Sequence, residues 1–491
     1  MKRMIALLLL TMTALFFFIA CSESKEAETA ATPAVAETAE TDPPETEDKR
    51  FRNDLPDDID FKGQQLGIVS SVNTFFNGKM TVPTLDDVET ILDQAMYDRK
   101  AYVEDRLNVT FEEHLDKSDS LQKLVGDCVQ AGDTTYDITH MADRVIFRMG
   151  LDGYLTELNT VSNLDLTKAY WDQEGNKIFN FFDKQYVAFG DLSLGTYDYC
   201  HALGFNQVLL TDCNMTSPYD YVAEDGWTFD RFREMIAAAV RDLDGNGVMD
   251  KNDQYGFHTR NAFMFPLMYT AAGFKTVKID DDGEPKFDMK GNQNFEDIYD
   301  WCTEAFLNSG AWYVHGEGND FLVKEPLFQN GQALFSDLTF FTIGQVREME
   351  SDFGIVPYPK YKEDQDRYYS WVEGGAKGIG VTITATAKNL DAVGAALEAL
   401  CCYSYDGVIP VYYEINLKMK YSRDEIATQM FDIIRESRTY DLGDNIWCTI
   451  IRDVFNKPLY NQTPLASAIA SQEKSINKTI ADTVEQLKNN S

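Results

Sequence analysis

Residues 64–70 read QQLGIVS, residues 109–113 read VTFEE and residues 136–139 read YDIT. These three short strand-like runs decide the fold class, because an amphipathic stretch separates each one from the next. The first stretch begins near Thr84 and the second covers about 121–130. Strands that alternate with helices favour parallel pairing, so the sequence predicts a βαβαβ unit of a doubly wound α/β sheet.

A second α/β lobe is predicted further along the chain. The apolar run 201–210 begins it, and Thr228 is placed as the N-cap of a strongly amphipathic helix. Two later runs, 332–338 and 353–356, are predicted as strands, and apolar residues at helical spacing predict a long terminal helix after Leu465. No repeat of 20 to 50 residues is visible, which argues against solenoids and propellers.

Composition excludes several classes of protein. The formal charge of −36 repels phosphate and argues against a binder of nucleic acid or of anionic membranes. With 44% hydrophobic and 13% aromatic residues, the chain can form packed cores. The eight cysteines show no zinc spacing. Without Cys21 an odd number remains, which favours free, buried thiols over a complete set of disulfides.

The N-terminus has the features of an export signal. Residues 1–20 combine a basic start, an apolar run and a small residue before Cys21, as in a secretory signal peptide. A single transmembrane anchor is the alternative, but the run is short and no basic cluster follows it. The sequence FIAC at 18–21 resembles a bacterial lipobox, which implies lipidation of Cys21. Residues 21–60 are then expected to form a disordered acidic linker.

Residues 242–253 read DLDGNGVMDKND and resemble an EF-hand loop. Hard calcium ions prefer oxygen ligands, which this spacing arranges around one ion. The predicted ligands of a structural calcium site are Asp242, Asp244, Asn246, Val248 through its carbonyl, Asp250 and Asp253. Aspartate replaces the usual glutamate at the last position, which predicts weak binding. An acidic surface turn that binds no metal is the alternative.

Several segments in fixed order resemble bacterial extracellular solute-binding proteins of family 1, the substrate-binding lipoproteins of ABC importers, mostly for carbohydrates. The segments are YVEDRLNV at 102–109, AGDTTYDI at 131–138, GWTFDRFREMIAAAVRDLDGNGVMDKNDQYGF at 226–257, FGIVPYPKY at 353–361, the glycine-rich stretch 374–376 and VIPVYYEINLKMKYSRDE at 408–425. Together they span nearly the whole chain after the linker.

The resemblance implies a two-lobed α/β fold, like that of periplasmic binding proteins, with hinge strands and a ligand cleft between the lobes. The N-terminal lobe is expected to combine 61–188 with 331–384, and the C-terminal lobe 192–328 with 387–491. The implied partners are a small solute, most simply a carbohydrate, and the permease subunits of an ABC transporter. The protein is expected to be a monomer on the outer face of the cell membrane, held there by its lipid alone and without nucleic acid.

Sugars are bound by aromatic rings that stack on their C–H faces and by polar side chains that satisfy their hydroxyls. The 25 tyrosines, 31 phenylalanines and 6 tryptophans exceed what a core needs. Trp371 is the first candidate, because its SWVEGG stretch has the character of an exposed loop. The other candidates at strand ends and lobe crossings are Asn73, Phe76, Asp143, Arg144, Tyr197, Tyr199, Trp312 and Trp447.

Two other functions are weighed against solute binding. A surface glycoside hydrolase would need two carboxylates as acid and base, but the 80 acidic residues give that signal no specificity. The five histidines show no dyad spacing, and no nucleophile elbow or phosphate loop is present, so no catalytic residue is predicted. A calcium-dependent adhesin would share the metal loop but is expected to be all-β or repetitive.

Overall fold

A computed structural model describes residues 53–72, 81–315, 327–346, 349–374, 379–417 and 425–489. Its strands are Gln64–Ser71 (β1), Val109–Asp116 (β2), Ile138–Ala142 (β3), Asn180–Phe181 (β4), Lys184–Gln185 (β5), His201–Asn206 (β6), Tyr255–Arg260 (β7), Val277–Ile279 (β8), Pro285–Phe287 (β9), Trp312–His315 (β10), Ala333–Thr339 (β11), Phe353–Val356 (β12), Ser370–Trp371 (β13), Ile379–Ile383 (β14) and Arg438–Thr439 (β15).

The α-helices are Ile91–Leu107 (α1), Ser118–Ala131 (α2), Asp143–Leu151 (α3), Gln173–Ile178 (α4), Gly195–Asp198 (α5), Gln207–Asp212 (α6), Pro218–Ala223 (α7), Phe229–Ala238 (α8), Met264–Ala271 (α9), Gln293–Cys302 (α10), Phe340–Val346 (α11), Leu390–Tyr403 (α12), Ile409–Leu417 (α13), Glu425–Glu436 (α14), Leu442–Arg452 (α15), Asn456–Tyr460 (α16) and Leu465–Asn489 (α17). Single 3-10 turns lie at 85–87 and 158–160, and π-turns lie at 303–308 and 404–408.

The first sheet, called the N-terminal sheet below, has four strands in the order β14-β3-β1-β2. β1 pairs in parallel with both β2 and β3, as the βαβαβ pattern predicts, and β14 closes the sheet antiparallel to β3. Helices α1 and α12 contribute to the core around Leu66 and Ile68, and helices α2 and α3 to the core around Val69 and Met141. The sheet therefore has a hydrophobic core on each face, with helices packed against both.

Local polar bonds set the start of α1. Helix formation was predicted from about Thr84, but there Thr84 and Asp87 form only one 3-10 turn. The helix begins at Ile91, where Thr90 accepts the backbone N–H of Asp93 and the Asp93 carboxylate accepts the N–H of Thr90. This reciprocal capping box satisfies two N–H groups that have no partner within the helix. Thr228 caps α8 as predicted, with its side chain accepting from Arg231 N.

The second sheet, called the C-terminal sheet, has five strands in the order β10-β7-β11-β6-β12. β7, β10 and β11 are parallel, and β6 runs antiparallel between β11 and β12. The ring of Phe232 on α8 lies 5.4 Å from that of Phe257 and 5.2 Å from that of Phe335, centroid to centroid. Helix α14 contributes Phe431 and Ile434 to a further core of this sheet.

The strand pairing corrects the predicted division between the lobes. Segment 331–384 was assigned to the N-terminal lobe, but β11 and β12 both pair with β6 in the C-terminal sheet. Only β14, at the end of the segment, returns to the N-terminal sheet. Helix α12, assigned to the C-terminal lobe, packs against α1 in the core of the N-terminal sheet. Alternating apolar residues predict a strand but do not specify which of two sheets it joins.

The described residues form one compact unit, within which the chain crosses between the two sheets three times. The first crossing runs from Ala188, bridged to Val381, to the start of β6. The second leads from β13 back to β14, and it lies beside the first because Cys200 and Val372 form an antiparallel bridge. The third is the short π-helix at 404–408, between α12 and α13. Side-by-side crossings are the arrangement of a hinge.

The cysteines of the described residues are free thiols. Cys128 and Cys213 are partly buried. The remaining five, Cys200, Cys302, Cys401, Cys402 and Cys448, are buried. The fold therefore depends on packing and hydrogen bonds and not on covalent cross-links in this part of the chain.

Candidate binding site at the facing sheet edges

Parallel strands bring their carboxyl ends to one edge of each sheet. In the N-terminal sheet these ends lie at Ser71, Asp116 and Ala142, and in the C-terminal sheet Arg260 and Thr339 are among them. Open α/β sheets bind their ligands outside this edge, because the loops and helix N-termini that begin there are free to carry polar groups. The two carboxyl edges are therefore the first place to look for a site.

Helix α15 connects the two edges. Near its start, Asn445 donates through Nδ2 to Asp143 Oδ2, at the first position of α3. Cys448, one turn later, accepts at Sγ from Arg144 Nη1 at 3.2 Å. At the end of α15, the guanidinium carbon of Arg452 lies 5.7 Å from the ring centroid of Phe263, which follows β7 in the C-terminal sheet. One helix thus contacts the carboxyl edges of both sheets.

A set of charged residues, called the edge cluster below, surrounds the end of α15. It consists of Arg260, Asp337, Glu373, Asp444 and Arg452. Asp444 Oδ1 accepts from Arg452 Nε at 2.8 Å, and Arg452 Nη2 lies 3.7 Å from Glu373 Oε1. Asp444 Oδ2 also accepts the backbone N–H of Gly374 at 3.0 Å, which ties the second crossing to α15. Hydrogen bonds of this kind offset the cost of burying the carboxylate.

On the C-terminal sheet, Asp337 organises the wall of the site. Its Oδ1 lies 2.8 Å from His201 Nδ1 and accepts from the Tyr358 hydroxyl at 2.7 Å, and its Oδ2 accepts from Thr259 Oγ1 at 3.3 Å. The His201 ring stacks on Trp371 with centroids 4.6 Å apart and planes 13° apart. Adjacent strands thus contribute polar and aromatic groups to one buried cluster.

Three-dimensional similarity identifies the fold. No protein-family profile and no curated protein sequence matches the chain. The sugar-binding protein MalE of Xanthomonas citri is similar, with a TM-score of 0.60 and 11% identity over 85% of this chain and 98% of that one. An ABC substrate-binding protein of Listeria monocytogenes, solved with cycloalternan, gives a TM-score of 0.54 and 12% identity over 85% and 99%. The chain has the fold of the ABC substrate-binding proteins.

A family 1 extracellular solute-binding protein of Bifidobacterium longum subsp. infantis shares this fold, with a TM-score of 0.55 and 13% identity over 84% of this chain and 100% of that one. The two-lobed α/β fold predicted from the sequence is therefore confirmed. Within the described residues, no helix has the length and apolar character needed to cross a membrane.

Trp371 was predicted to be an exposed ring on which a sugar stacks. The prediction of exposure is wrong. Its side chain is 1% exposed, and both His201 and Phe263 pack against its ring. The glycines and the glutamate of the SWVEGG stretch are residues typical of exposed loops, which explains the prediction. In the structure, pairing of β13 with β15 covers it. Replacing Trp371 by alanine would therefore remove core packing.

The other predicted ligand residues fall in different places. Asp143 and Arg144 lie at the carboxyl edge of the N-terminal sheet, buried and half-buried respectively, and remain predicted contacts. Trp447 is buried and donates to Thr483 Oγ1 at 3.3 Å, so its indole faces α17. Trp312 begins β10, at the end of the strand away from the carboxyl edge, and its ring stacks 5.7 Å from that of Tyr460.

Tyr197 and Tyr199 lie on the first crossing and are buried, with 3% and 2% exposure. Asn73 and Phe76 lie outside the described residues. The sequence reasoning missed the edge cluster, His201 and Asn445. A usable signal existed for Arg260, because a charged residue that ends a buried strand marks the carboxyl edge of a sheet.

The predicted calcium loop is formed in part. Carboxylate oxygens of Asp242, Asp244 and Asp253 lie within 4.8 Å of one another, whereas Asp250 is not part of that group. Asp253, fully buried, accepts the backbone N–H of Leu243 at 2.9 Å and of Asp250 at 2.8 Å, which closes the loop. Three converging oxygen ligands suit a hard cation such as calcium.

The other two predicted calcium ligands lie on the exposed side of the loop. Asn246 Oδ1 accepts the backbone N–H of Val248 at 2.7 Å, so that oxygen already serves a local turn. Val248 is 63% exposed. Gly247 has a φ of 80°, the left-handed conformation that the sharp turn requires.

Burial shifts the titration of the acidic groups beside α15. Burial raises the pKa of Asp143 to about 7, and hydrogen bonds from Asn445 and from the Arg144 backbone oppose this only in part. Burial also raises the pKa of Asp444, and the charge of Arg452 opposes the rise. Burial lowers the pKa of Arg260. The site is thus a low-dielectric environment, where polar contacts to a ligand are strengthened.

Asp143→Asn should reduce the pH dependence of stability. The pKa of Asp143 is about 7 in the folded protein and near its ordinary 3.8 in the unfolded chain. Its stabilising contribution is therefore complete below about pH 4 and is lost as the pH rises to about 7. Urea unfolding of wild type and variant across this interval measures the difference. Asp152→Asn, an exposed change just after the same helix, is the control. Parallel pH profiles for wild type and Asp143→Asn would contradict the assignment.

Proposed function

We propose that the protein is the extracytoplasmic substrate-binding component of an ABC importer and captures a carbohydrate between the carboxyl edges of its two sheets. One observation carries this proposal: α15 and the edge cluster bring polar and charged groups from both lobes of a substrate-binding fold to one place. The solved relatives named above are described as sugar-binding, substrate-binding or solute-binding proteins, one of them with cycloalternan.

The charge arrangement at the edges favours a neutral ligand. Arg452 pairs with Asp444 and Glu373, and Asp337 is held by His201, Thr259 and Tyr358. A sugar beside these compensated pairs would add no net charge to a buried region. A hinge between the sheets then allows the ligand to favour the closed state by contacting both lobes.

A glycoside hydrolase is the weaker alternative. Its acid and base carboxylates must be available to the substrate and to water. In the edge cluster, Asp444 is 1% exposed and Asp337 already has three partners. We therefore propose binding without turnover, with permease subunits as partners and a monomer as the working form.

The acidic loop at 242–253 is proposed to hold a structural calcium ion. The support is the convergence of Asp242, Asp244 and Asp253. Calcium there would supply charge neutralisation between the carboxylates and would stabilise the loop between α8 and β7. The site lies on a different segment of the chain from the edge cluster, so no role in ligand capture is proposed.

Membrane attachment is proposed to occur through a lipid on Cys21, after removal of residues 1–20. The lipobox-like FIAC sequence and the acidic linker that follows it support this. A lipid on the N-terminus would hold the binding unit near its importer.

Ligand capture can be tested with titration calorimetry against maltotriose, maltotetraose, cycloalternan and tagatose. Arg144→Ala should weaken binding of the ligand found by about 10- to 100-fold, the loss expected for a hydrogen bond from a charged group. Arg148→Ala, an exposed change one turn along the same helix, should leave affinity unchanged. Small-angle scattering should show a smaller radius of gyration on saturation. Equal loss in both variants, or binding without compaction, would contradict the cleft assignment.

Chelation tests the calcium proposal. EGTA should lower the melting temperature of the wild type, because the loop carboxylates repel one another without a cation. Asp244→Ala should melt at the same temperature with and without EGTA. Asp281→Ala, in another exposed acidic turn, should respond like the wild type. If EGTA leaves the wild-type melting curve unchanged, the loop is an acidic turn that binds no calcium.

Metabolic labelling with a palmitate analogue tests the anchor. The wild type should be labelled and Cys21→Ser should not, because the modified thiol is then absent. Cys213→Ser, which removes a partly buried thiol of the folded unit, should be labelled normally. Equal labelling of the Cys21→Ser protein would argue against lipidation at this residue.

A further inference from the structure

A second cavity lies beside the first crossing between the sheets, and we call it the flank pocket. Its volume is about 730 Å³, within the range of roughly 300–1,000 Å³ that ligand pockets have. Its lining includes Trp171, Asp191, Tyr197, Tyr413, Arg435 and Arg438. It shares no lining residue with the edge cluster, so it is a separate site.

The flank pocket is built from both lobes. Trp171 belongs to the core of the N-terminal sheet and donates through Nε1 to Glu398 on α12 at 3.0 Å. Arg435 lies on α14, which packs against β12 of the C-terminal sheet. Tyr197 lies on the crossing itself. A molecule bound in this pocket would contact both lobes and the hinge segment between them.

A buried polar framework fixes the wall of the pocket. The guanidinium carbon of Arg438 lies 4.0 Å from the ring centroid of Tyr197, and its Nη2 lies 3.3 Å from Asp172 Oδ2. The Tyr440 hydroxyl donates to the same Asp172 oxygen at 2.7 Å, and the Tyr197 hydroxyl donates to Asp191 Oδ1 at 2.5 Å. These bonds hold the side chains in place before any ligand binds, which lowers the cost of binding.

Two buried groups in this wall have unused hydrogen-bonding capacity. Within the described residues, Arg438 Nε and the Tyr413 hydroxyl have no hydrogen-bond partner. The Tyr413 side chain is 8% exposed. Buried polar groups normally have a hydrogen-bond partner, so two unpaired atoms in one wall are unusual. Both can donate a hydrogen bond, and a small turn of either side chain toward the pocket would bring it to an acceptor oxygen of a bound molecule.

The charges around the pocket select among possible ligands. Five carboxylates and three guanidinium groups line it. This excess of negative charge disfavours an anionic ligand. A cationic ligand is disfavoured as well, because Arg435 and Arg438 already lie over the rings of Tyr413 and Tyr197. A neutral molecule with several hydroxyl groups can donate to the carboxylates and accept from Arg438 and Tyr413.

We propose that the flank pocket is a second binding site, for a neutral monosaccharide or disaccharide, and that its occupancy is coupled to ligand binding at the sheet edges. The choice of a saccharide rests on the function proposed above. The two sites are coupled because the flank pocket contacts both lobes. A ligand that fits one orientation of the lobes better shifts the equilibrium between open and closed forms toward that orientation. By linkage, each ligand then changes the affinity for the other by the same factor.

The test uses the full folded unit with maltose as the probe, and with glucose, glucuronate and glucosamine as uncharged, anionic and cationic single-ring probes. The pocket variant combines Tyr413→Phe with Arg435→Gln. It removes an unpartnered hydroxyl and a partly exposed charge, so its melting temperature should match the wild type. Arg144→Ala is the matched variant of the sheet-edge site. Calorimetry and thermal shift are measured for all three proteins.

Maltose should bind wild type and Arg144→Ala at the flank pocket, and the pocket variant should lose this binding at least tenfold. Glucose should bind more tightly than glucuronate or glucosamine in Arg144→Ala. Equal maltose binding in the wild type and the pocket variant would overturn the proposal. Complete loss of maltose binding in folded Arg144→Ala would overturn it too, as would a wild type that binds no maltose. If the sheet-edge proposal fails instead, Arg144→Ala has no effect on any ligand while the pocket variant still loses maltose.

Discussion

The geometry of the candidate site depends on one interaction, the ion pair between the buried carboxylate of Asp444 and Arg452. An isolated charge in this position would be strongly unfavourable, and Asp444 is stable there because Arg452 and the backbone N–H of Gly374 both donate to it. These bonds fix α15 against the crossing between the sheets. With α15 fixed, Asn445 and Cys448 reach Asp143 and Arg144 in the other lobe. A single buried ion pair thus sets the relation between the hinge and both sheet edges.

Much of the fold could be predicted from the sequence, because its signals are local. The strand runs near 64, 109 and 138, the N-cap at Thr228 and the terminal helix after 465 all follow from periodicity and capping within a few residues. The start of α1 was misplaced because Thr84 and Thr90 offer the same capping chemistry, and only the second continues into a helix. The distribution of strands between the sheets needs long-range pairing, which no local pattern encodes.

The site was harder to predict than the fold. Asp143 and Arg144 were predicted because they follow a strand, whereas Asp337, Glu373 and Arg452 come together only when distant segments meet. Trp371 shows the opposite error. Its neighbours in sequence are typical of a loop, yet its neighbours in space are His201, Phe263 and Arg452. Aromatic residues beside glycines are ambiguous in this way, because burial depends on the strand that pairs with them.

The free thiols have a consequence for how this chain reaches its native state. In the described residues no covalent cross-link joins distant segments, although both sheets are assembled from segments far apart in sequence. Closing those loops therefore has to be driven by burial and hydrogen bonding alone, without help from an oxidase or a disulfide isomerase. The native fold thus needs no oxidising compartment, and the five buried sulfurs are protected from oxidants only once folding is complete.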